Sequence, residues 1–132
     1  MKKNTDLALL LIRLTLGGLM LFHGVAKLGH IDGIQHMLTD IGLPAVMAYG
    51  VYITELLAPV LMVIGWRTRL ASLVYFFGML TALFLRHADS MFELSKTGGL
   101  AIELILLYAL PALALCISGA GKYALSYKHK LD

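Results

Sequence analysis

The stretch LALLLIRLTLGGLMLFHGVAKL, residues 7–28, decides the fold, because it is apolar from end to end yet carries Arg13, His23 and Lys27. As a helix it rises about 33 Å, enough to cross a hydrocarbon core of about 30 Å. A charge within such a helix costs about 2.5 to 3.5 kcal/mol on insertion scales, so each of the three needs a partner, a watery cavity or a route to the interface. A cleaved leader is the competing reading, since Lys2 and Lys3 precede the run and Gly24-Val25-Ala26 offers small residues at a cleavage point. The run is longer than a leader core, and its ionisable residues serve no purpose in a discarded segment. A retained helix is therefore expected.

Three further apolar stretches repeat the pattern at residues 45–65, 69–87 and 100–117, carrying Glu55, then Arg86 and His87, then Glu103. Composition agrees: 59% of residues are hydrophobic, 14% are charged and the mean hydropathy is +0.81, far outside soluble usage. A chain of 132 residues has room for four spans of about 20 residues each and no separate soluble domain. The expected fold is all-α, an integral-membrane four-helix bundle forming a single domain over residues 1–132. Between spans one and two, Ile31, Ile34, Met37 or Leu38 and Ile41 recur at helical spacing, which predicts a short interfacial helix capped by Asp32 and stopped at Gly42. The single cysteine, Cys116, excludes an internal disulfide, a paired-cysteine redox motif and a thiolate zinc site within the chain. No metal site is expected.

Orientation follows from the basic residues, because short loops rich in Lys and Arg stay cytoplasmic. Lys2, Lys3, Arg67, Arg69, Lys122, Lys128 and Lys130 fall on one side of a four-span path. On the other side Lys27, Arg86 and Lys96 are offset by Asp32, Asp40, Asp89 and Glu93. Both termini are expected in the cytoplasm, with the chain multi-pass in a bacterial inner membrane. The net charge of +3 follows from topology, so nucleic acid is not an expected partner.

Counting inward from the predicted outer ends places His23 about 7 Å deep, Glu103 about 6 Å deep and Glu55 about 15 Å deep, near the midplane. His23 and Lys27, four residues apart, share a helix face. Two acids, two bases and two imidazoles thus converge on the outer half of the bundle. Glu55 carries the most information, since a carboxylate near the midplane either holds a proton or meets a cation. Pro59 frees its backbone carbonyl. Against a ligand or proton site stands a structural ion pair for Glu55, and a packing role for His23. Lys27, Arg86 and His87 also read as anchors whose long side chains snorkel to headgroups, and Arg13 as snorkelling or paired inside the bundle. Arg67 and Arg69 mark topology. The aromatic residues, Tyr52 and Tyr75 among them, read as packing or lipid-facing, and Gly17-Gly18 and Gly24 permit close helix approach.

The order Phe22-His23-Gly24-Val25-Ala26-Lys27-Leu28, Gly42-Leu43-Pro44, Glu55, Gly65-Trp66-Arg67-Thr68-Arg69-Leu70-Ala71, Ala82 before His87, Gly98-Gly99 before Glu103, and Gly119-Ala120-Gly121 resembles the DoxX family of small four-span bacterial membrane proteins. The resemblance covers nearly the whole chain. It implies links to quinone handling, sulfur metabolism and oxidative-stress complexes with soluble partner enzymes. Carried over position by position, it implies functional roles for His23, Lys27, Glu55, Arg69, His87 and Glu103.

The leading expectation is a membrane subunit of a redox system that binds a quinone or a similar lipophilic ligand. In it His23 or Lys27 bonds a carbonyl while Glu55 or Glu103 exchanges protons, which makes Glu55, Glu103 and His23 the candidate catalytic groups. Electrons must come from elsewhere, since no flavin, nicotinamide or iron–sulfur fingerprint is present and no cofactor is expected to be bound covalently. The expected partners are membrane lipids, a soluble or membrane redox protein and further copies of the chain. Two other classes stay open: a small proton-coupled transporter built on Glu55 and Pro59, and a scaffold or assembly protein without catalysis of its own.

Overall fold

Asn4 starts the first helix: its side chain accepts a hydrogen bond from Leu7 N at 3.0 Å, and Asp6 places a negative charge in the first turn. From there the computed structural model, which describes residues 4–88, 91–94 and 98–132, is built of helices, with only an isolated bridge between Leu94 and Leu100 among the described residues. Helix α1 spans Thr5–Ala26, α2 Asp32–Asp40, α3 Ala45–Ile64, α4 Thr68–His87 and α5 Glu103–Ser118. Helices α1, α3 and α4 are long and apolar enough to cross a membrane; α5 is apolar but shorter, at 16 residues or about 24 Å. It begins at Glu103 rather than Leu100, because Ala101 N bonds back to Glu93 O and Leu100 pairs with Leu94. Lys2, Lys3, Asp89 and Lys96 lie outside the described residues.

Helix α2 is the short helix expected between the first two long ones. Asp32 is its first residue rather than its cap, for Ile31 stands at the cap position and no side chain bonds there. The stop is as the sequence indicates: Gly42 takes φ +80° and Leu43 N bonds to Leu38 O at 2.8 Å. Ile31 and Leu38 pack on Ala48, with Tyr52 and Leu85 alongside, so α2 lies across the end of the bundle where α3 begins and α4 ends.

Helices α3 and α4 are joined by Gly65-Trp66-Arg67 and run antiparallel, with Gly65 in a left-handed turn and Trp66 N bonded to Leu61 O. The main core joins α1, α3, α4 and α5 through Leu16, Met20, Met62, Tyr75, Met79 and Leu115, interleaved with the alanines 58, 71, 109 and 112. Such small residues let helices approach closely where lipid provides no hydrophobic drive. Gly17 and Gly24 do the same on α1. A Cβ on Gly17 would stand 2.6 Å from Val63 Cγ2, and one on Gly24 would collide with the Glu55 carbonyl oxygen, whereas Gly18 faces open space.

The segment after α5 folds back under the bundle. Leu125 N and Ser126 N donate to the carbonyls of Ile64 and Gly65, completing the end of α3. Arg13, fully buried, donates to Met62 O at 3.4 Å and to Tyr123 O, so it pairs within the bundle instead of snorkelling. Arg67 approaches the Asp132 carboxylate at 3.8 Å and Arg69 Nε donates to the Asp132 main-chain oxygen at 2.9 Å. Both arginines therefore fasten the tail as well as marking this end.

Candidate functional site

Glu55 sits where α3 departs from regular geometry. Residues Ile53–Leu57 form a π turn in which Ala58 N bonds to Ile53 O, five residues back, and Pro59 supplies no N–H to the Glu55 carbonyl. That carbonyl lies against Gly24 of α1, which is the close approach the glycine permits.

Above it, Lys27 turns inward and donates to Glu55 Oε1. Of the two roles expected for Lys27, anchor and site residue, this contact serves the second: the Lys27 side chain is 30% exposed and the Glu55 side chain 6%. Tyr52 sets this reach, since its hydroxyl donates to Lys27 O at 3.2 Å and accepts from Gly29 N at 3.3 Å. The other carboxylate oxygen, Glu55 Oε2, is buried without a hydrogen-bond partner among the described residues.

Two tyrosines that read as packing residues join the cluster. Tyr75, on α4, is fully buried, its hydroxyl has no hydrogen-bond partner among the described residues, and it lies within electrostatic range of Glu55 and Tyr108. Tyr108, on α5, meets His23 of α1 edge to face, with ring centroids 6.2 Å apart at 85°. All four long helices thus contribute one polar side chain or more. The sequence signal for Tyr75 was available: Thr68, Ser72 and Tyr75 fall at i, i+4 and i+7 along one face of a largely apolar helix.

Other expected site residues stand apart. Glu103 is exposed at the start of α5 and curls over Gly99, on the rim of an apolar groove of about 380 Å³ that Leu106, Leu107, Leu110 and Pro111 line. Glu103 and Tyr108 are five residues apart and so point about 140° away from each other. Arg69 is at the far end of the bundle, in the tail contacts. There it helps line a groove of about 500 Å³ with Asp6, Lys122, His129 and Asp132. His87 closes α4, half-buried, and Arg86 beside it is exposed. No described hydrogen bond or ion pair joins Glu103, Arg69 or His87 to Glu55 or Lys27. The converging set is therefore His23, Lys27, Glu55, Tyr75 and Tyr108.

Chemically, this set offers a carboxylate with one oxygen neutralised by an ammonium and one free to accept, beside a phenol free to donate or accept. A buried polar atom left without a partner costs about 1 to 3 kcal/mol, so each of these oxygens calls for a water, an ion or a bound molecule.

Over 83 residues the chain is 30% identical to a Bacillus subtilis (strain 168) protein named "Putative oxidoreductase CatD", a match covering 63% of this chain and 62% of that protein. No solved structure matches. The DoxX family model matches residues 8–88, which takes in α1 to α4 and with them His23, Lys27, Glu55 and Tyr75, and the chain accordingly belongs to the DoxX family of membrane proteins.

Proposed function

We propose that the protein is the membrane subunit of an oxidoreductase system and binds a quinone at the His23–Lys27–Glu55 cluster. The observation that carries this is the half-satisfied Glu55 carboxylate: one oxygen is held by Lys27 and the other is buried without a partner among the described residues, within electrostatic range of Tyr75. The residues fit the ligand. Tyr75 stands in the apolar core with Met20, Met79, Ala58 and Ala109, and Glu55 lies within its electrostatic range, so two oxygen-bearing groups border an apolar wall of the kind a quinone ring favours. The exposed seam where His23 meets Tyr108 offers entry from the bilayer.

When bound, a quinone supplies two-electron, two-proton redox chemistry. His23 would hydrogen-bond a ring oxygen at the seam, Lys27 would hold Glu55 Oε1 in place, and Glu55 would give or take a proton at Oε2. Electrons would reach the site from a partner protein, since the chain carries no flavin, nicotinamide or iron–sulfur fingerprint of its own. The membrane proposed is the bacterial inner one. There Arg67, Arg69, Lys122, Lys128 and Lys130 face the cytoplasm, and the chain is expected to associate with further copies of itself.

A short-chain quinone added to the detergent-solubilised protein is expected to raise the unfolding midpoint of wild type and leave Glu55→Gln unmoved. Equal shifts in both would sink the assignment of the site. The π turn and Pro59 at mid-span favour a second reading, a proton-coupled carrier. Flux of a labelled solute into proteoliposomes that Glu55→Gln abolishes would establish it instead.

A further inference from the structure

Seven buried side-chain nitrogen and oxygen atoms lack a hydrogen-bond partner among the described residues, and they are not scattered. Three are hydroxyls on one face of α4, those of Thr68, Ser72 and Tyr75, each on a residue with 0% exposure. Glu55 Oε2 stands at the Tyr75 end of this row. Arg67 Nη1 and Asp132 Oδ1, 3.8 Å apart, stand at the Thr68 end, where Arg13 Nε also belongs. Other helical hydroxyls behave differently. Those of Thr39, Thr54, Thr81 and Ser118 bond back to main-chain carbonyls three or four residues earlier.

Back-bonding is the usual refuge of a Ser or Thr hydroxyl inside a helix, and Ser72 forgoes it while fully buried; Thr68, which opens α4, and the phenol of Tyr75 have no such refuge, so all three buried hydroxyls need another partner. Thr68 and Ser72, at i and i+4, have Cβ atoms about 5 to 6 Å apart, a gap that a single water spans with two hydrogen bonds, and the Tyr75 ring carries its hydroxyl on from there. From Thr68 to Tyr75 the row rises about 10 Å along the axis, which carries it from the tail end to the layer of Glu55.

We propose that Thr68, Ser72 and Tyr75, with bridging waters, form a proton path joining Glu55 to the tail end of the bundle. Each relay oxygen receives one proton and passes on another, so a hydronium on the tail side is consumed, the Glu55 carboxylate gains a proton and the hydroxyls end unchanged. The groups facing Glu55 are Lys27 from α1 and Tyr75 from α4, with Tyr108 from α5 and its neighbour His23 one contact further. Lys27 screens the carboxylate from the α2 end, which leaves the α4 row as the way in. The path extends the quinone reading by naming the side from which the protons come. It is tested without any quinone, so failure of one does not entail failure of the other.

The test is a pH jump on the full chain in lipid nanodiscs, following the carboxyl stretch of Glu55 by time-resolved infrared spectroscopy, with Glu55→Gln to assign the band. Thr68→Val and Ser72→Ala, each removing a hydroxyl that has no protein partner, should slow the response about a hundredfold, the lower end of what a positioned proton relay contributes. Ser72→Thr should retain the wild-type rate, as should Thr81→Val, whose hydroxyl is back-bonded. Equal rates in wild type, Thr68→Val and Ser72→Ala would overturn the path and route the proton past Lys27. A Glu55 band that never responds to pH would overturn it as well.

Discussion

Lys27, at the end of α1, holds the carboxylate of Glu55, 28 positions further along the chain, and the two partners are unequally buried, at 30% and 6% side-chain exposure. Removing either therefore has a different cost. Lys27→Met strands a buried carboxylate and should destabilise by roughly 3 to 5 kcal/mol, whereas Glu55→Gln leaves an ammonium that can extend to the headgroups and should cost about 1 to 2 kcal/mol. The double variant Lys27→Met/Glu55→Leu should recover most of the loss. Denaturation in mild detergent checks the order of the three.

Gly24 and Gly18 differ in what surrounds them. Gly24→Ala must push α1 away from the Glu55 carbonyl and Leu56, at a cost of about 1 to 3 kcal/mol. Gly18→Ala meets nothing within 4 Å and should stabilise by up to about 1 kcal/mol through helix propensity. Thermal unfolding of both variants side by side is the check.

Arg13 ties α1 to the end of α3 and to the tail through Met62 O and Tyr123 O. Arg13→Leu should cost roughly 3 kcal/mol and release the tail to protease. Arg13→Lys should restore little, because one ammonium cannot reproduce the guanidinium fork.

The Asp132 carboxyl is held below the usual carboxylate range, first by the Ser126 hydroxyl at 2.5 Å, with His129 N–H and Arg67 adding to it and burial opposing. A depressed folded-state pKa contributes stability that is complete above the ordinary Asp value of about 3.9 and is lost as pH falls through the folded value. Tail amides such as Leu125 and Ser126 should therefore lose protection below about pH 4, after correction for intrinsic exchange. Asp132→Asn should show weaker protection at neutral pH and no such transition. Hydrogen exchange followed by mass spectrometry reads both.

Tyr75→Phe separates stability from function. Its hydroxyl has no protein partner, so removal should leave stability unchanged or raise it by up to about 1 kcal/mol, while ligand binding falls. Unfolding and binding measured on one preparation check the split.

Much of this was legible in the chain. Hydropathy and length give the helices, and the depth of Glu55 and the position of Pro59 mark the π turn as unusual. Sequence gives depth along a helix but not rotation about it. Glu103 and His23 were expected at similar depths, yet Glu103 is exposed on the rim of an apolar groove while His23 meets Tyr108. Lys27 read as an anchor because its inward turn depends on Tyr52, 25 residues away, holding the end of α1. Arg69 entered through family resemblance, which transfers positions and not contacts, and it lies in the tail lock. Tyr75 hid among aromatic residues because lipid-facing and buried tyrosines have the same local pattern.

The most direct measurement is native mass spectrometry with organic extraction of gently purified wild type, Glu55→Gln and Tyr75→Phe. Stoichiometric quinone in wild type, lost from both variants while they remain folded, is the expected result. Quinone retained in both variants, or no lipophilic ligand in any of the three, would contradict a quinone site at Glu55.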